Sequence, residues 1–147
     1  MSIFDSFSIN ASGLTAERYR MDVISENIAN IDTTRTKDGP LSRRKLVTFE
    51  EKGKNGTFAS ALAKAKGDYI GGGVRVGKTY EDTETEMKMV YDPSHPDADE
   101  NGYVTYPNVN VITEMTDLID ASRSYEANAT AFSASKSMAG KGLEMAQ

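Results

Sequence analysis

Apolar residues recur along this chain in two long helical stripes, one near each end, with shorter alternating segments between them. Toward the C-terminus, Val111, Met115, Leu118, Ser122, Tyr125, Ala129, Phe132, Lys136, Ala139 and Leu143 follow steps of four and three, the seam spacing of a coiled coil. Toward the N-terminus, Phe7, Leu14, Met21 and Ile28 recur every seventh residue, and Phe4, Ala11, Ile24 and Ile31 fill the same face. Two such seams at opposite ends of one chain predict helices that pack on each other. A single helix pair leaves apolar surface uncovered, so the pattern also predicts assembly with neighbouring copies or partners.

The first helix is expected to begin near Ser6 or Ser8 and to run to about Ala29. Ser12-Gly13 is its weak point, because glycine costs about 1 kcal/mol against alanine in a helix interior, unless it admits a neighbouring helix closely. Asn30-Ile31-Asp32-Thr33-Thr34 offers the backbone side-chain partners that compete with helix, so the chain turns there. Leu41 to Glu50 reads as a strand or an extended arm. Val74 to Tyr80 alternates most clearly of all, and Glu86 to Tyr91 and Tyr103 to Tyr106 are further strands. A short helix is expected over Thr57 to Lys66, between flexible joints at Gly53, Gly56, Gly67 and Gly71-Gly72-Gly73. Pro107 clears the way for the second long helix, which starts between Asn108 and Val111. The predicted fold is therefore α+β. Residues 1–34 and 108–147 form antiparallel, coiled-coil-like paired helices as an assembly core, and 35–107 form a small strand-rich insert, flexible near 52–73.

Composition narrows the function. In 147 residues the hydrophobic fraction is 38%, with no Trp and no Cys, so neither a disulfide framework nor a thiolate metal site is available. No apolar run reaches the roughly 20 residues that span a bilayer, and the N-terminus lacks a secretory signal pattern, so any export is expected to use another route. Charge is segregated: residues 1–33 carry −3, residues 34–78 carry +7 and residues 79–147 carry −9. Such opposed patches are suited to setting register between stacked subunits. Nucleic acid is not an expected partner, because the basic residues lack interleaved aromatics and the whole chain is acidic.

Three segments resemble chemical motifs and fail on their own terms. Asp97-x-Asp99-x-Asn101-Gly102 opens like a calcium loop, but its twelfth position is Asn108 instead of a bidentate Glu, and Pro107 stands where the exiting helix should begin. His95, the one histidine, stands between Asp92 and Asp97 and beside Pro96, and a triad would need a nucleophile brought to it from elsewhere. Gly71-Gly72-Gly73 and Gly77-Lys78-Thr79 suggest a phosphate loop, yet Gly77-Lys78-Thr79 lies inside the best strand pattern instead of opening a helix. No catalytic residue, cofactor or metal is expected.

The wording at the helix ends is specific. Leu14-Thr15-Ala16-Glu17-Arg18, followed by Met21 through Asn30, resembles the N-terminal signature of bacterial flagellar rod and hook proteins. Thr33-Thr34-Arg35-Thr36, with Arg35 where many members have glycine, is similar to the proximal-rod branch, as is Arg43-Arg44-Lys45. So are Tyr91 to Val104, Pro107 to Val111, Glu114-Met115, and Ala121 to Asn128. The resemblance spans nearly the whole chain and weakens only in the glycine-rich part.

The resemblance implies a non-enzymatic structural subunit of the envelope-spanning rod, a drive shaft that transmits motor torque and encloses the export channel. It implies export without a cleavable signal. It also implies a place in the basal body among proximal and distal rod proteins, copies of itself, the membrane ring and the base of the export apparatus. The expected assembly interface comprises Leu14, Met21, Ile28, Asn30, Arg35, Met115, Leu118, Tyr125 and Phe132. The alternative from a different class is a helical-hairpin adaptor or export-related interaction protein.

Overall fold

A computed structural model describes residues 3–36, 41–53, 62, 65 and 71–145. Helix α1 (Ile3–Ala29) is followed by strands β1 (Lys45–Glu51), β2 (Val74–Glu81), β3 (Lys88–Tyr91) and β4 (Tyr103–Tyr106), and by helix α2 (Val111–Glu144). The terminal helices pack together beside two small sheets, β1 with β2 and β3 with β4, so the fold is α+β. The expected helix over 57–66 lies mostly outside the described residues, although Leu62 and Ala65 are helical. Among the described residues, no helix is long and apolar enough to cross a membrane.

The chain forms two compact units, each taking part of both helices: Met1–Tyr19, Thr48–Lys78 and Ala121–Gln147 in one, Arg20–Val47 and Thr79–Asp120 in the other. In the first unit small residues let the helices approach. Ala16 and Ala121 are buried, and a Cβ at Gly13 would meet the Asn128 side chain at 2.9 Å. Ser12-Gly13 is thus a contact point within an unbroken helix, and Phe7 and Phe132 meet edge to face at 5.1 Å between ring centroids. The Ser12 hydroxyl donates to the Ile9 carbonyl at 2.6 Å and accepts from the Val74 N–H at 3.1 Å, tying the start of β2 to α1.

Gly73 precedes that anchor with φ +98, and a Cβ there would collide with Ser12 Oγ. Gly73→Ala therefore combines a left-handed backbone penalty with a displaced anchor. We expect a loss of about 2 kcal/mol in denaturant unfolding, and an unchanged midpoint would mean that the β2 anchor is not formed in solution.

In the second unit the interior is half polar. Val23, Ile24 and Val104 are buried together with Asn27, Asn108 and Glu114. Strands β3 and β4 run antiparallel, with Lys88 opposite Tyr106 and Tyr91 opposite Tyr103. Helix α2 starts where Asn110 caps it: its side-chain oxygen accepts from the Ile112 N–H at 3.0 Å, satisfying a donor that the first turn leaves open. Helix α1 begins at Ile3, earlier than Ser6 or Ser8, with Asp5 in its first turn.

Candidate assembly interface

The second unit is held together by a chain of polar contacts. The Asn27 side chain reads both sides of one peptide position, donating to the Lys45 carbonyl at 2.9 Å and accepting from the Lys45 N–H at 2.9 Å. It also donates to Glu114 Oε2 at 3.0 Å. Arg44 Nε donates to Glu114 Oε1 at 2.6 Å, and its Nη2 to Asp117 at 3.1 Å. Asn108 accepts from the Arg44 N–H at 2.8 Å and donates to the carbonyls of Asp82 and Thr85. Helix α1, the entry to β1, the segment after β2 and the start of α2 are thereby fixed to one another. Periodicity does not mark this cluster, because its members are polar. All four of Asn27, Arg44, Asn108 and Glu114 do lie in segments that carry the family resemblance.

Asn30 ends α1 by donating its side-chain amide to the Glu26 carbonyl at 2.9 Å, alongside the backbone N–H to the same oxygen at 3.1 Å. Beyond it, Thr34 donates to Asp97 at 2.7 Å and the exposed Arg35 pairs with the same carboxylate. The Thr34 hydroxyl, reinforced by the Arg35 charge and opposed by desolvation, holds Asp97 below its ordinary value of 3.8. A depressed carboxylate stabilises the fold above its unfolded pKa. That contribution is lost as pH falls below 3.8 and through the lower folded value. Thr34→Val is expected to move the Asp97 carboxyl upward in an NMR titration, and an unchanged midpoint would show that the clasp is not made.

The other acids of this region serve separate turns. Asp99 accepts from the N–H groups of Asn101 and Tyr103, Asp92 from Ser94, and Asp82 from Glu84 and Thr85. His95 Nδ1 accepts from the Asp97 N–H at 3.1 Å, and its ring faces Tyr106 edge-on. Gly77, Lys78 and Thr79 lie within β2.

The residues expected at the interface occupy different environments. Leu14, Met21, Ile28, Leu118, Tyr125 and Phe132 are half-buried, as is Asn30, whereas Arg35 and Met115 are exposed. Leu14, Tyr125 and Phe132 belong to the first unit, the rest to the second. Along α2, Glu114 and Ala121 are buried, and Leu118, Ser122, Tyr125, Asn128, Ala129, Phe132, Ser135 and Ala139 are among the half-buried positions. This leaves Ile112, Met115 and Ile119, at 77%, 52% and 53% exposure, as an apolar stripe in the second unit. Phe4, Met138 and Leu143 are similarly exposed in the first.

Two family models match the chain: flagella basal body rod protein over residues 7–37, and flagellar basal body rod FlgEFG protein C-terminal over 100–145. Flagellar basal-body rod protein FlgC of Bacillus subtilis is 46% identical, with 99% of each chain covered. The protein of the same name from Borreliella burgdorferi is 44% identical over 100% of this chain and 99% of its own. That of Escherichia coli O6:H1 is 37% identical over the whole of both chains. This chain belongs to the FlgC family of flagellar basal-body rod proteins.

Proposed function

We propose that this chain is a structural subunit of the flagellar basal-body rod and that its work is mechanical, not catalytic. The observation that carries the reading is the exposed stripe of Ile112, Met115 and Ile119 on a helix whose opposite side is already packed. A helix face of this kind gains stability only when a neighbour covers it, which is the condition of a subunit in a tube. Similarity over the full length to proteins named for the rod supports the same reading.

In this account residues 1–34 and 108–147 are the assembly core, and 35–107 is the insert that meets neighbours on the outside. The half-buried Leu14, Met21, Ile28, Leu118, Tyr125 and Phe132 shape the helix pair, while Met115 and Arg35 reach adjoining subunits. Asn30 fixes the turn from which Arg35 departs. The partners are proximal and distal rod proteins, further copies of the chain, and the membrane ring and export base at the foot of the rod. The site of action is the basal body in the cell envelope, reached by export without a cleaved signal. Quantifying the chain in purified basal bodies tests this reading: a fixed copy number per structure supports it, and a chain found only in the cytoplasm overturns it.

A further inference from the structure

The β3–β4 hairpin is an unusually bare piece of sheet. Two strands alone are marginal in water, and every residue of β3 is exposed. The Asp92 N–H donates to the Gly102 carbonyl at 2.9 Å, so the pairs at 90 and 104 and at 88 and 106 share that hydrogen-bonded phase. Met89 and Tyr91 therefore turn their backbone N–H and C=O groups away from β4, along an edge to which no described strand is added. The face of the hairpin that carries Lys88 and Val90 opens on a cleft of about 260 Å³. Its lining includes the apolar Ile31, Val90, Tyr106 and Val109, with Asp32 and Lys88 supplying one charge of each sign. Lys88 and Val90 lie on the same face of β3, so a strand laid along the edge would send alternate side chains toward this cleft.

We infer that the outer edge of β3 and its cleft receive an extended segment of a neighbouring rod subunit, by strand addition. Backbone bonds to Met89 and Tyr91 supply affinity, and the cleft selects side chains. The lining of the cleft defines the occupant: an extended segment carrying an aliphatic residue for Ile31, Val90 and Val109, together with a basic residue to meet Asp32 and an acidic one to meet Lys88, at alternate positions. That the strand comes from a rod neighbour rests on the function proposed above.

Proline separates an edge role from a fold role, because it removes the N–H of one residue and tolerates strand conformation. Met89→Pro removes an outward donor only, whereas Val90→Pro breaks the ladder to Val104. We expect Met89→Pro to melt within a few degrees of the parent, yet to fall about tenfold in basal bodies relative to Met89→Ala. Equal incorporation of the two overturns the proposal. As a readout independent of folding, p-benzoylphenylalanine placed at Met89, which keeps the backbone N–H and whose side chain lies on the face of β3 away from Lys88 and Val90, is expected to give an adduct with an extended, aliphatic-centred segment of a neighbouring rod protein. Normal incorporation with no adduct, or with adducts on helices alone, overturns strand docking and leaves the rod reading standing. Absence of the unaltered chain from basal bodies would instead overturn the rod reading itself.

Discussion

Arg44→Ala is expected to destabilise the folded chain by about 3–5 kcal/mol, a large part of the total stability of a domain this size. The reason is the carboxylate it leaves behind. The Glu114 side chain is 1% exposed, and Arg44 Nε at 2.6 Å is its one cationic partner among the described ion pairs. Without the guanidinium, Glu114 keeps the Asn27 amide at 3.0 Å and loses its balancing charge, while Asp117 loses its partner at 3.1 Å. Replacing both members, as Arg44→Met with Glu114→Met, removes the buried charge together with its partner and should recover most of the loss. Urea denaturation of the parent, Arg44→Met, Glu114→Met and the double variant closes the cycle. A single-variant loss below about 1 kcal/mol would mean that Glu114 is hydrated in solution.

Ile119→Asp is expected to do the opposite: little to the isolated chain and a great deal to the assembly. Ile119 is 53% exposed on α2, so a charge there remains in water and should change stability by no more than about 0.5 kcal/mol. Once a neighbour covers the stripe formed with Ile112 and Met115, the same aspartate is buried without a partner, at a cost of several kcal/mol. Incorporation into the rod should fall by about 100-fold or more. Thermal melting of the purified variant and immunoblotting of basal bodies separate the two effects.

Much of the secondary structure was legible, because it follows from spacing. The alternation over Val74 to Tyr80 predicts a strand, and β2 is Val74–Glu81; the expected segment at Tyr103 to Tyr106 is β4. Glu86 to Tyr91 shortens to Lys88–Tyr91, since Asn108 takes the Thr85 carbonyl and Asp82 holds the turn before it. The paired helices were legible for the same reason, but their phase was only half so. Leu118, Tyr125, Phe132 and Ala139 face inward at heptad spacing, as the stripe predicts. In the alternate row Ser122 and Ala129 are half-buried, as expected, alongside Asn128 and Ser135, whereas Met115 and Lys136 are exposed and the fully buried positions are Glu114 and Ala121.

The full burial of Glu114 and Ala121, one residue before the expected positions, has a physical origin. An apolarity criterion favours Met115, whereas Glu114 is drawn inside by Arg44 and Asn27, and Ala121 is selected by size where the helices come close. In α1, likewise, Gly13, Ala16, Val23 and Asn27 are buried, with Leu14, Met21 and Ile28 flanking them. Periodicity locates large apolar residues well. It does not find contacts made by small side chains, or polar groups whose burial depends on a partner many residues away.

If this chain works by being built into a rod through its exposed helix face, its amount in purified basal bodies must depend on that face when the parent and Ile119→Asp are expressed at equal levels. A fixed, substantial copy number is expected for the parent and near absence for the variant, with both folded in solution. Ile119→Asp present at the parent's copy number would contradict that dependence.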